Sequence, residues 1–209
     1  MAQTVNPTRM EMLRLRKRLV VAKRGHKLLK DKLDGLMKDF SRYAKEYKAA
    51  RLAVDNELPA VLKYFVLAEA TSSRRITEDA LDNTRQDMSI TVKTRRVMSV
   101  VIPELEISYS EAAGGYSRVH TSPELDKAIS GLKEFIGQLL KMAELEQTVR
   151  LLSAEIEKTR RRVNALEHTF IPRMAASINL IKNKLDEAER SNTSRLMKIK
   201  QQRLAQEEA

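Results

Sequence analysis

Apolar residues in the last third of the chain recur at alternating steps of four and three, and this spacing constrains the fold more than any other feature. It is typical of a coiled-coil seam. A helix of about 80 residues would span roughly 120 Å, so it needs a long partner along its length. The seam positions, one of them a threonine, are Leu145, Val149, Leu152, Ile156, Thr159, Val163, Leu166 and Phe170.

A second repeat fits the same region from Leu152 onward. Its positions lie eleven residues apart, which favours a straighter or locally reversed supercoil. They are Leu152, Val163, Met174, Leu185 and Leu196.

The first third of the chain supplies a second, more regular seam. Pro7 suits a helix start, and Thr8 and Glu11 have the spacing of a capping box. Leu58, Val61 and Phe65 continue the seam, which predicts that Pro59 kinks or restarts the helix instead of ending it. The regular part, six consecutive heptads, runs through Met12, Leu15, Leu19, Ala22, His26, Leu29, Leu33, Leu36, Phe40, Tyr43, Tyr47, Ala50 and Val54.

Three residues of this first helix depart from the pattern. Gly25 and Gly35 each cost a helix about 1 kcal/mol relative to alanine, and we expect them to allow close approach of the facing helix or a neighbouring chain. His26 occupies a seam position, where a polar residue more often sets the register than binds a metal. Because the other two histidines, His120 and His168, are far away in sequence and cysteine is absent, the sequence predicts no metal site.

Residues 71–123 contain several turn-forming residues, including Gly114-Gly115, Pro103 and Pro123. A short helix is expected from about 77 to 85. The alternating and β-branched apolar residues that follow predict a small β-hairpin that turns between Thr94 and Ser99. Pro103 then has to lie at a sheet edge or a bulge.

The predicted fold is mainly α. Ser122 and Pro123 have the chemistry of an N-cap and first helical residue. The N-terminal helix (1–70) and the C-terminal helix with its polar tail (124–209) form a long antiparallel two-helix coiled coil, with the short helix and β-hairpin (71–123) at the turn. Residues 201–209 lack apolar periodicity and are expected to be frayed.

Positive charge is concentrated near the two ends of the sequence. The chain has a net charge of +11. Residues 9–32 contain ten Lys or Arg against two acids, and residues 158–200 contain eleven against four. If the two segments lie side by side, one end of the molecule is strongly basic.

The candidate interface residues come from these segments, and two interpretations of them stay open. The basic side chains either keep a helix soluble or present charge to an acidic surface, protein or phosphate. With only 4% aromatic residues, stacking of single-stranded bases is disfavoured. The candidates are Arg24, His26, Lys27, Lys158, Arg160, Arg161 and Arg162.

The sequence offers little to a catalytic interpretation. It contains no G-x-x-x-x-G-K-[ST], G-x-G-x-x-G or G-x-S-x-G motif, and we expect no catalytic residue and no cofactor. Its apolar runs reach only about four residues, so we expect a soluble protein, or one that reaches a membrane through partners. The main alternative is a basic coiled-coil module that binds nucleic acid; a membrane-surface scaffold or a soluble enzyme fits less well.

Four blocks of sequence carry a resemblance to a known family. They are residues 6–10 (NPTRM), 22–32 (AKRGHKLLKDK), 98–103 (MSVVIP) and 158–167 (KTRRRVNALE), the last followed by Ile171-Pro172. In this order they resemble the D subunit of V-type or A-type rotary ATPases over nearly the whole chain. Many coiled coils share the seam spacing, whereas the four blocks together are specific.

The resemblance implies a non-catalytic central rotor shaft. Members of the family are antiparallel coiled coils with a β-hairpin insert, and they lie in the bore of a hexamer of A and B subunits that hydrolyses ATP. Torque then drives transport of protons or sodium ions, or in reverse ATP synthesis. The hairpin is implicated in stimulating hydrolysis.

The resemblance also implies where the partners bind. The basic terminal end meets the A and B subunits, the small F subunit binds near residues 40–57 and 136–149, and a socket subunit of the membrane ring contacts the insert. The protein is then peripheral, at the cytoplasmic face of the cell membrane, and does not itself bind nucleotide, bind nucleic acid or insert into the membrane.

Overall fold

The computed structural model describes residues 6–83, 88–109, 115 and 121–207. As predicted, the chain is mainly helical, with a long helix on either side of a small insert. The elements are α1 (Arg9–Ser72), α2 (Arg74–Asn83), β1 (Met88–Val97), β2 (Val100–Tyr109), α3 (Pro123–Ala165), a π-helical turn (Leu166–Phe170) and α4 (Ile171–Glu207).

The helix boundaries follow the predicted start signals. The Glu11 N–H donates to Thr8 Oγ1 at 3.2 Å, so Thr8 caps α1 and satisfies one of the N–H groups that lack a partner within the helix. Pro59 lies inside α1, which continues to Ser72. α3 begins at Pro123, directly after Ser122, and the Leu125 N–H donates to the Ser122 carbonyl at 3.0 Å. No backbone N–H of the described residues donates to the Ser122 hydroxyl, so the predicted N-cap by its side chain is not confirmed.

The seam predicted in α1 is confirmed by burial. All thirteen positions from Met12 to Val54 are buried or half-buried, whereas most of the residues between them are exposed. Beyond Val54, Leu58 is 38% exposed, while Val61 and Phe65 are half-buried. The apolar stripe of α1 therefore reaches the insert.

The chain forms two compact units. The terminal unit comprises the described residues of Met1–Asp34 and Lys158–Ala209, and the central unit comprises those of Gly35–Glu157. The division into 1–70, 71–123 and 124–209 follows the order of the chain and stays a prediction.

In the terminal unit, α1 packs against the π turn and α4. Leu15, Ile178 and Ile181 form its buried core, supported by Met12, Leu19 and Leu185. Arg9 pairs with Glu189 and His26 lies against Glu167. As the residue number increases along α1, the number of the residue that it contacts decreases, so the two helical segments are antiparallel.

The central unit has two apolar clusters. One joins α1, α3 and the hairpin through Leu36, Tyr43, Val100, Ile102 and Leu152. The other joins α1, α2 and α3 through Ala68, Ala80 and Leu125. Low-numbered residues of α1 again meet high-numbered residues of α3, so these helices are also antiparallel, and the hairpin packs on them through β2.

The hairpin turns at Met98 and Ser99, within the predicted interval. β1 and β2 pair in a continuous antiparallel register that ends at Val97 and Val100. Pro103 lies opposite Thr94 without a bulge. Because the sheet has two strands, both are edge strands, and proline is tolerated at the edge of a sheet.

Gly35 allows a close approach, but to the hairpin. A Cβ atom at Gly35 would lie 2.5 Å from Met98 Cε, so a larger residue there would require the end of the methionine side chain to move. Met98 itself has a φ of 51°, a conformation that is uncommon for residues other than glycine. At Gly25 a Cβ would meet nothing within 4 Å, so no neighbour in the described chain accounts for that glycine.

The C-terminal helical segment differs from the prediction at one place. The Ile171 N–H donates to the Leu166 carbonyl five residues earlier, which makes Leu166–Phe170 a π turn. Phe170, predicted in the seam, is 55% exposed. Burial instead resumes one residue later, and the positions are Ile171, Met174, Ile178, Ile181 and Leu185.

The sequence after residue 170 explains this shift. An uninterrupted heptad would bring the polar residues Arg173, Ser177 and Lys184 into the seam. A π turn contains about one extra residue, which returns the apolar residues to it. Pro172 follows directly, and because it lacks an N–H it would interrupt an α-helical ladder there in any case.

Two further expectations change at the C-terminal end. The eleven-residue repeat is buried or half-buried as far as Leu185, but Leu196 is 67% exposed. Residues 201–207, expected to be frayed, continue α4 to Glu207, since Gln, Arg, Leu, Ala and Glu all favour a helix. Residues 208 and 209 lie outside the described chain.

We predict that deleting Thr169 together with Pro172→Ala removes the π turn at little cost. One fewer residue places Ile171, Met174 and Ile178 in register with Val163 on an uninterrupted α-helix. We expect the midpoint of thermal unfolding, followed by circular dichroism, to stay equal or rise.

The control is deletion of Ser153, an exposed residue of regular α-helix. This deletion rotates the later seam by about 100° and should strongly lower the midpoint. Equal losses for both deletions would contradict the register explanation.

Candidate functional site

The net positive charge of the chain lies entirely in the terminal unit. The sequence of Met1–Asp34 and Lys158–Ala209 contains 22 Lys or Arg against nine Asp or Glu, whereas Gly35–Glu157 contains 17 against 19. The two basic segments recognised in the sequence thus fold into one unit. We call the exposed Lys and Arg side chains of this unit the basic surface.

The α1 candidates differ in exposure. Arg24 and Lys27 are exposed, whereas His26 is half-buried at its seam position. The His26 side chain, 21% exposed, places Nε2 at 3.3 Å from Glu167 Oε2. His26 therefore pairs with the π turn across the seam, which suits a residue that sets the register.

The α3 candidates lie on the outer side of their helix. Thr159 and Val163 are buried in the seam, and successive side chains on a helix are about 100° apart. The three arginines between them, Arg160 to Arg162, must therefore spread around the solvent side, and all three are exposed, as is Lys158. The seam thus determines which side of the helix carries the charge.

The ion pairs described in the terminal unit lie both between its two helical segments and within α1. Arg9 pairs with Glu189 and His26 lies against Glu167, while Arg14 pairs with Glu11 within α1 at 3.7 Å. Most of these groups are exposed, so each pair contributes roughly 0–1 kcal/mol. The buried contact between the two segments is apolar, through Leu15, Ile178 and Ile181.

The C-terminal part of α4 is an apolar and basic surface that the sequence did not reveal. Every side chain from 186 to 203 is exposed. Leu196, Met197 and Ile199 are 67%, 63% and 48% exposed. Since α1 begins at Arg9, which pairs with Glu189, the apolar repeat of α4 continues past the start of its partner helix.

The segments expected to bind a further protein, residues 40–57 and 136–149, both lie in the central unit. Each exposes an apolar side chain outside its seam, Leu52 at 55% and Leu139 at 40%. In the insert, Ile76 and Leu81 of α2 are 39% and 40% exposed.

The arrangement offers surfaces for binding. Among residues 6–83, 88–109, 115 and 121–207, no group of three His, Asp or Glu side chains could hold a metal ion. No helix within the described residues combines the length and apolar character needed to cross a membrane. The chemistry that remains is long-range attraction by the basic surface and burial of apolar side chains on α1, α4 and the insert.

Comparison with known proteins identifies relatives over almost the whole chain. Residues 11–201 match the family model of the ATP synthase D subunit. The V-type ATP synthase D subunit of Thermoanaerobacter sp. (strain X514) is 48% identical over 199 residues, 94% of this chain and 95% of that protein. The V-type ATP synthase D subunits of Fusobacterium nucleatum and Acetivibrio thermocellus are each 46% identical, over 94% and 97% of this chain and 95% and 93% of theirs.

We predict that reversing charge on the basic surface leaves the fold stable. Arg160→Glu and Arg162→Glu alter exposed side chains, so each should change the free energy of unfolding by no more than about 0.5 kcal/mol. The measurement is urea unfolding followed by circular dichroism.

Ile181→Ala is the matched control within the same unit. Ile181 is fully buried, and its truncation should cost about 2–5 kcal/mol. A comparable loss from the arginine variants would mean that these side chains hold the unit together and are not kept for a partner.

Proposed function

Because the chain belongs to the family of ATP synthase D subunits, we propose that it is the central rotor shaft of a V-type rotary ATPase. In this function it transmits torque between a hexamer of A and B subunits that hydrolyses ATP and an ion-translocating ring in the membrane. It is a non-catalytic component of the complex and carries no cofactor.

The observation that carries the proposal is the pairing of two long apolar seams. In both units α1 packs against the C-terminal helical segment in antiparallel orientation. A torque-transmitting element must resist twisting, and twisting this pair would pull interdigitated side chains such as Leu36 and Leu152 out of contact. Close-packed interiors resist such displacement.

We propose that the terminal unit lies in the bore of the hexamer. Its basic surface, including Arg24, Lys27, Lys158 and residues 160–162, would face acidic patches of the A and B subunits in turn, whereas His26 stays in the seam beside Glu167. Exposed charges interact over about 10 Å and are screened by salt, so they attract without the desolvation that accompanies a tight buried ion pair. A rotor needs attraction of this kind, because tight binding would stop rotation.

The exposed apolar side chains support contacts with other subunits. Leu196, Met197 and Ile199 of α4 would be covered within the hexamer, which gives this part of α4 the apolar neighbour that it lacks among the described residues. The F subunit would bind the central unit near residues 40–57 and 136–149, and the socket subunit would bind the insert. The protein would then be peripheral at the cytoplasmic face of the membrane.

Isolation of the assembled complex tests this proposal. The full chain, tagged at the C-terminus, is purified from its own cells at moderate and high salt with nuclease present, and bound proteins are identified by mass spectrometry. We expect A, B and F subunits in near-stoichiometric amounts. Recovery of nucleic acid or ribosomal proteins that are lost as salt rises would instead support a phosphate-binding basic coiled coil.

We further predict that the part of α4 after Arg190 is needed for assembly of the complex and not for folding of the chain. Truncation after Arg190 removes only exposed side chains among the described ones, so the thermal midpoint should change little. Recovery of the A and B subunits by an N-terminally tagged form should fall, because Leu196, Met197 and Ile199 are gone.

The point variant Leu196→Asp should reproduce this loss, whereas Ser194→Asp, an exposed polar neighbour, should not. Unchanged recovery with the truncated chain would exclude this segment from the hexamer contact.

A further inference from the structure

Strand β1 is the most exposed regular element of the central unit. Nine of its ten residues are exposed and the tenth, Val97, is half-buried. Within the described chain β1 pairs with β2 alone. Its second edge is therefore a row of main-chain groups with no strand beside it, which is a ready site for pairing with another segment.

The outward-pointing amides of β1 can be identified from β2. In an antiparallel pair, residues alternate between those that bond across the ladder and those whose N–H and C=O point away from it. The Leu105 N–H donates to Glu144 Oε2 of α3 at 3.3 Å, and Pro103 has no N–H, so these two face away from β1. Their partners Val92 and Thr94 must likewise face away from β2, and so must Ile90 and Arg96.

The outward edge coincides with an apolar face. Met88, Ile90 and Val92 are 40%, 43% and 60% exposed, and they lie opposite Tyr109, Ile107 and Leu105. The other face of the same region is polar, with Ser89 Oγ 2.6 Å from Ser108 Oγ. A further strand beside β1 could therefore extend the apolar face with its own alternate side chains.

The charge of β1 indicates which types of residue the added strand would carry. β1 carries Lys93, Arg95 and Arg96 and no acid. Lys93 pairs with Glu106 of β2 at 2.6 Å, whereas Arg95 and Arg96 lie opposite Ile102 and Val101, so these two charges have no acid directly across the ladder. A second copy of β1 would add three further positive charges and no acid to this edge, whereas opposite charges across strands are the favourable pairs. An incoming strand that alternates apolar and acidic residues would place its apolar side chains beside Ile90 and Val92 and its carboxylates beside the polar face.

We propose that β1 receives an extended segment of another subunit, alternately apolar and acidic, as a third strand of this sheet. The identity of that subunit as part of a V-type ATPase rests on the proposed function, whereas the pairing itself rests on the geometry of β1. The hairpin then joins the partner to α1 and α3, because β2 is packed in the central core through Val100 and Ile102.

Hydrogen exchange at individual amides tests the pairing. It is measured by mass spectrometry with residue-level fragmentation, on the free chain and on the assembly recovered with the tagged chain. We expect the amides of Ile90, Val92, Thr94 and Arg96 to exchange rapidly in the free chain and at least about tenfold more slowly in the assembly. Outward amides that remain fast in the assembly would overturn the proposal.

The variant Val92→Pro removes one outward donor without removing a bond between β1 and β2, as Pro103 already does on the other strand. We expect it to abolish the slowing at Ile90 and Thr94. Val92→Thr, which keeps the donor and the β-branched shape, should retain slowing within about threefold of the parent. Equal slowing in both variants would overturn the proposal.

The inward amides of Thr91 and Lys93 report whether the hairpin is intact in each variant. If Val92→Pro also makes the inward amides exchange rapidly, the hairpin has been disrupted. The variant Thr94→Pro, whose proline lies opposite Pro103, then takes the place of Val92→Pro in the comparison of the free chain with the assembly. The proposed function is tested separately, by the identities of the recovered proteins. Recovery of an ATPase assembly in which the outward amides of β1 remain unprotected would overturn only the strand pairing.

Discussion

The structure depends on burial of one apolar seam on α1 along nearly its whole length. Among the described residues, the hairpin and α2 cover α1 and the helical segment from 123 to 207 only within the central unit. The two helical segments cover each other, through Leu15 with Ile178 and Ile181 in the terminal unit and Leu36 with Leu152 in the central unit. Helices this long acquire their stability from such packing more than from intrinsic propensity.

The seam also decides which residues remain for partners. Because a two-helix pair buries only one stripe of each helix, most side chains stay exposed, including those of residues 160–162 on α3. Leu52, Leu139 and Leu196 lie outside the contact as well. The geometry that buries the seam thus leaves these charges and the remaining apolar side chains at the surface.

The helical pairing could be predicted from the sequence because the apolar residues that cause it recur at regular spacing. All thirteen seam positions of α1 were recognisable in this way. The π turn could not, although Pro172 and the polar residues Arg173 and Ser177 were visible signs that the heptad fails there. The tight contact of Met98 with Gly35 depends on where the hairpin folds back, which no local pattern reports. The basic segments were recognisable from composition, but the exposure of α4 past Glu189 depends on where α1 begins.

The hairpin is the one part of the molecule that the seam does not explain. β2 packs on the helices through Val100 and Ile102, while β1 leaves Ile90 and Val92 exposed. An isolated two-stranded hairpin is marginally stable in water, so its attachment through Arg95 to the Tyr43 hydroxyl, at 3.0 Å, and through Leu105 to Glu144 holds it in place. β1 is thus held on one edge by β2, while its other edge has no strand beside it within the described chain, and this is the edge on which the proposed strand pairing depends.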